Sequence, residues 1–129
     1  MKNFCKILFL ILLSLIFTLK TNAMNFDEAF SKIDKTPIAV LVYAQWADDY
    51  LNYLNKFRQV QPKYKNIYNF VELDIASKDT KTFNNMYHIQ PKLPYLFLIR
   101  NNGKISRYIS RECAKDTSCI NSKLMSFIQ

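Results

Sequence analysis

Cys113 and Cys119 carry the most reactive chemistry in this 129-residue chain. A thiolate is a nucleophile and a soft metal ligand, and an oxidised pair is a cross-link. With five residues between them, a bridge closes a small loop worth about 2 kcal/mol by the loop-entropy argument. Two readings stand. The pair is a staple for the last helix, or it is exchange-competent, with Lys115 and a helix start at Cys119 lowering a thiol pKa. The spacing is not C-x-x-C, so the staple is preferred. Two sulfur ligands alone make a poor metal site. Asp48 and Asp49 could suggest acid–base work or a metal. Adjacent carboxylates on a helix point about 100° apart, so capping is the simpler role. His88 is the only histidine, which leaves no Ser-His-Asp arrangement to argue. One glycine, Gly103, cannot build a phosphate loop. No catalytic residue, metal site or cofactor is assigned.

The third cysteine, Cys5, lies in a segment that reads as a secretory leader, residues 1–23. Lys2 and Lys6 precede the apolar run Ile7–Leu19, and Thr21-Asn22-Ala23 supplies small residues for cleavage. The run is short of the roughly 20 residues a membrane span needs. The expectation is a mature domain over residues 24–129, exported to the periplasm or envelope in a bacterium, or secreted otherwise. An even cysteine pair in such a compartment favours a disulfide. The chain has 18 Lys and Arg against 10 Asp and Glu, net +8. The leader removes Lys2, Lys6 and Lys20 and no acid, leaving +5. No basic run is long enough for a nucleic-acid site, so no nucleic-acid partner is expected. Membrane contact is expected only through the leader or weak electrostatics.

The periodicity then supplies the elements that would hold these residues. Phe26, Ala29, Phe30 and Ile33 share a helical face over Asn25–Asp34, and Pro37 stops it. Ile38–Tyr43 is a continuous β-branched run, suited to a strand buried on both faces. Asp48 or Asp49 would cap the next helix, with Tyr50, Leu54, Phe57 and Tyr64 inward. Tyr68–Ile75 reads as a strand, and Ser77 or Asp79 as the cap of a short helix with Phe83, Met86 and Tyr87 buried. Pro94–Ile99 and Lys104–Ser110 flank Asn101-Asn102-Gly103, a strong hairpin signal. Ile120, Leu124, Phe127 and Ile128 form one face of a last helix. Alternating strands and helices imply a parallel sheet with an antiparallel hairpin strand at its edge.

The chain resembles the thioredoxin superfamily over about residues 26–128. Trp46 follows the first core strand at the point where that family carries W-C-x-x-C. Phe70-Val71-Glu72-Leu73-Asp74 looks like its second strand, and Tyr87-His88-Ile89 with Leu93-Pro94 like its Y-x-I…P segment. The resemblance implies an α/β three-layer sandwich: a central mixed sheet, a C-terminal antiparallel hairpin and helices on both faces. It also implies a cis peptide bond before Pro94. Ala47 and Tyr50 stand at the two cysteine positions. Leu41 stands where many members carry a buried acid. The resemblance is therefore to a redox-inactive member. It implies a face of Trp46, Asp48, Asp49, Tyr50, Leu93 and Pro94 that grips an extended polypeptide, a protein or peptide of the envelope. Alternatively, Trp46 and Tyr50 fill the space that a disulfide would take. The leading functional expectation is a non-catalytic binding or chaperone-like module. A thiol–disulfide oxidoreductase acting through Cys113 and Cys119, or a structural subunit of an envelope complex, are the alternatives.

Overall fold

The computed structural model describes residues 23–129. The expected leader, Ala23 apart, lies outside them, as does Cys5. The order is α1 (Phe26–Ser31), β1 (Ile38–Tyr43), α2 (Tyr50–Tyr64), β2 (Asn69–Asp74) and α3 (Thr80–Tyr87). Then follow β3 (Tyr95–Arg100), β4 (Ile105–Ile109), α4 (Arg111–Ala114) and α5 (Thr117–Phe127). One sheet runs β2-β1-β3-β4.

β1 is central, and both its faces are buried. Ala39 and Leu41 join a core with Phe57, Tyr68, Leu96, Leu98 and Leu124. Ile38, Val40 and Val42 join another with Phe26, Phe83, Tyr95 and Phe97. A strand covered on both sides has no polar alternation to show, which is why its sequence is a continuous apolar run. α2, α4 and α5 cover the first face, and α1 and α3 the second.

β1 and β2 are parallel, but β3 runs antiparallel to β1, with Val42 opposite Tyr95 and Ile38 opposite Ile99. The expected parallel placement of β3 is thus corrected. β2 leaves the sheet where Asp74 faces Tyr43, and β3 enters at that same end. The connection over residues 75–94, with α3 in it, thus returns the chain to the end of the sheet that it left. β4 completes the antiparallel hairpin, with Arg100 opposite Ile105.

Asn101, Asn102 and Gly103 all have positive φ, at 56°, 55° and 84°. This is a conformation that Asn and Gly adopt most easily. A Cβ on Gly103 would meet Tyr87 Oη at 3.1 Å and the Phe30 ring at 3.2 Å. The Tyr87 hydroxyl also donates to Gly103 O at 3.1 Å, so the hairpin tip is seated on α1 and α3.

The expected caps are partly redistributed. Asn25 caps α1, accepting from Glu28 N at 2.8 Å. Asp49 is the residue before α2 but has φ 65° and no capping bond. Asp79 precedes α3 without capping it. Its carboxylate instead accepts from the backbone N–H groups of Phe26 and Asp27, at the start of α1. Of the expected core residues, Met86 and Ile128 are exposed. Ile128 follows the last residue of α5, past the end of its helical stripe.

Candidate functional site

β1 ends at Tyr43, and the chain turns through 44–49 into α2. Ala47 N donates to Ala44 O at 3.1 Å and closes the turn. Ala44 and Ala47 are buried, whereas Trp46 between them is 73% exposed. A methyl group at residue 47 packs into the core with Leu93 and leaves the indole in solvent. Trp46 therefore fills no interior space. Tyr50 is half-buried and stacks on Tyr43, with centroids 5.9 Å apart and planes 1° from parallel.

The Leu93–Pro94 bond is cis, as the resemblance implies. Leu93 and Pro94 are buried, and the exposed residues Pro91 and Lys92 precede them. Between this loop and the turn lies an open groove of about 430 Å³, lined by Trp46, Ala47, Asp48, Pro91, Lys92, Leu93 and Arg111. Asp49 and Tyr50 line a different depression, formed by residues 45–51. A smaller cleft meets the indole near Gln45, whose side-chain amide donates to Asp74 Oδ2 at 3.1 Å. The tryptophan is thus a ridge between depressions. Of the six expected face residues, Trp46, Asp48 and Leu93 share the groove, and Pro94 lies buried beneath it.

Two basic residues of this groove come from segments distant in sequence. Arg111, at the start of α4, donates through Nε to Tyr53 Oη at 2.9 Å, with its guanidinium 5.7 Å from the Tyr53 ring centre. That hydrogen bond, with Asp48 contributing less, raises the Arg111 pKa. Beside it, Glu112 is held below its usual range by hydrogen bonds from its own N–H and from Ser110, with Lys92 adding to the effect. Arg111 and Glu112 therefore both carry their charge at neutral pH.

Leu41 is fully buried at the position where the resemblance expects an acid. In register opposite it, however, stands Glu72, whose side chain is only 9% exposed. Arg58 binds it in a fork, at 3.0 and 2.8 Å, and Gln61 adds a third bond at 3.0 Å. A half-buried carboxylate thus exists one strand away, tied to a guanidinium. Burial raises the pKa of the neighbouring Tyr43 phenol, with Asp74 and Glu72 adding to the effect. Glu72 was legible as a polar residue inside an apolar strand. Nothing local announced Arg58, Lys92 or Arg111.

Cys113 and Cys119 are bonded, joining α4 to the first turn of α5. Cys113 is buried and Cys119 half-buried. Both belong to the core on the sheet face opposite Ala47 and Leu93. Among the described residues, no three His, Cys, Asp or Glu gather as a metal site, and no helix is long and apolar enough to cross a membrane.

The arrangement of a four-stranded mixed sheet with helices on both faces recurs in solved structures. The fold is thioredoxin-like. ERdj5 in its form I crystal structure matches with a TM-score of 0.66 at 15% identity, over 85% of this chain and 15% of that one. A chain of the complex between ferredoxin:thioredoxin reductase and thioredoxin f2 matches at 0.65 and 12%, over 86% and 97%. Oxidised thioredoxin O2 from Arabidopsis thaliana matches at 0.58 and 15%, over 81% and 87%. The chain therefore spans only about 15% of ERdj5, yet most of a single thioredoxin. No family model matches the sequence, and no curated protein matches it. On this thioredoxin-like scaffold, residues 47 and 50 are alanine and tyrosine, so the turn itself offers no thiol.

Proposed function

We propose that this thioredoxin-like domain is a non-catalytic binding module that grips an extended polypeptide along the groove between the Trp46 turn and the 91–94 loop. The exposure of Trp46 carries this reading. A 73% exposed indole on a turn held by the buried Ala44 and Ala47 is an accessible apolar anchor, and tryptophan is prominent among residues that dominate binding energy. Lys92, Arg111 and Asp48 supply polar contacts around it. With the leader read from the sequence, the partner is an envelope or secreted protein. The test is a peptide array probed with the protein and with Trp46→Ala and Tyr50→Ala. Selective loss of binding in Trp46→Ala, at unchanged thermal stability, supports the reading. An array pattern untouched by either substitution defeats it.

The bonded Cys113–Cys119 pair favours a second reading, thiol–disulfide exchange. A substrate thiolate would attack Cys119 Sγ, the more exposed sulfur, and release the Cys113 thiolate. A second substrate thiol would then resolve the mixed disulfide, leaving two protein thiols and one substrate disulfide. Titration in glutathione buffers separates the readings. Structural bridges usually lie below about −300 mV, and exchange-competent ones well above that.

A further inference from the structure

Arg100 and Arg107 bring two guanidinium groups to one ring, at the end of the sheet opposite the Trp46 turn. Arg100 ends β3 and faces Ile105, whereas Arg107 faces Leu98. The two arginines are thus diagonal neighbours on one face of the hairpin. Their Cζ atoms lie 5.2 and 5.5 Å from the centre of the Phe127 ring. Arg107 Nη1 donates to Ser126 Oγ at 3.3 Å. Arg100 is half-buried, and its Nε is buried with no hydrogen-bond partner. Among the described residues, neither arginine belongs to an ion pair; those found are Lys32–Glu28 and Arg58–Glu72.

Like charges placed across adjacent strands repel, and a partly desolvated guanidinium without a counter-charge is costly. The Phe127 π face and the C-terminal carbonyls of α5 offset part of this. They do not explain why two guanidiniums share one ring where one would cap the helix.

We propose that Arg100 and Arg107 form a binding site for a phosphate group, free or carried as a phosphomonoester. Near-dianionic phosphate matches the charge of both guanidiniums, and its oxygens suit forked donors; a single carboxylate matches half of that charge. The site is remote from the Trp46 groove and independent of what that groove binds.

The test is a titration of the full chain with inorganic phosphate at fixed ionic strength, followed through the arginine Nε–Hε resonances. The Arg100 and Arg107 signals are expected to shift together and saturate. Arg107→Ala, at an exposed position that folding does not need, should weaken binding about tenfold or more. Lys78→Ala should leave it unchanged. Arg100→Lys keeps the charge without the fork and should weaken binding while preserving the fold. A parallel titration with glycerol 3-phosphate identifies the source. Tighter binding points to a phosphomonoester, and equal binding to the free anion. Shifts that rise without saturating, or that persist unaltered in Arg107→Ala, overturn the site.

Discussion

Replacing Glu72 by alanine removes the carboxylate that ties α2 to β2. Three hydrogen bonds end on it, two from Arg58 and one from Gln61. The Glu72 side chain is 9% exposed and that of Arg58 27%. Breaking a buried ion pair costs about 3–5 kcal/mol, because the surviving charge stays desolvated. Arg58 keeps some access to water, so the expected loss is near 3 kcal/mol. Against a domain stability of about 5–15 kcal/mol, Glu72→Ala remains folded, with its Tm lowered by roughly 10 °C or more. The assay is urea unfolding followed by far-ultraviolet circular dichroism at fixed salt. The double variant Arg58→Leu, Glu72→Leu removes both charges and should recover most of the loss, since apolar replacement of a buried pair is often neutral. A loss under about 1 kcal/mol for Glu72→Ala would place the pair with ordinary surface bridges and refute the reasoning. A double variant as weak as the single would trace the loss to packing instead of stranded charge.

Other expectations follow from the same geometry. Trp46→Ala, at an exposed position, should change stability by less than about 0.5 kcal/mol, read in the same urea melts, even where it abolishes peptide binding. Cys113→Ser with Cys119→Ser should cost about 2 kcal/mol, and calorimetry with and without reductant should give the same difference. Gly103→Ala places a side chain at φ 84° against Tyr87 and Phe30 and should lose about 1–3 kcal/mol in thermal melts. Burial raises the phenol pKa of Tyr64, Tyr68, Tyr87 and Tyr95 above the ordinary 10.0. The folded state then resists ionisation that the unfolded state accepts. This stability contribution is complete below pH 10 and falls as the pH rises through the folded-state pKa values. A melting temperature that stays flat into strong alkali would contradict this burial.

Legibility in the sequence tracked locality. β1 and β3 announced themselves, because burial on both faces leaves unbroken apolar runs, Ile38–Tyr43 and Tyr95–Ile99. The hairpin was legible because Asn and Gly are the residues that accept positive φ. The cis bond before Pro94 was legible only through resemblance. The direction of β3 was not, because it depends on the end at which the chain re-enters the sheet. The make-up of the groove was partly legible for a related reason. Trp46, Asp48 and Leu93 meet, but Lys92 and Arg111 complete the groove from loops whose approach no local pattern encodes. Asp79 shows the same limit. As an acid before a helix it looked like a local cap, and it serves another helix instead.

That displaced cap bears on the order in which the chain can close. α1 has six residues, too few to persist alone in water. Its first N–H groups wait for Asp79, 53 residues further along, and Met24 N waits for Phe70 O. During synthesis at about 5–20 residues per second, the leading segment emerges several seconds before its acceptors exist. The start of the domain is thus made first but cannot lock before the chain through Asp79 has been delivered.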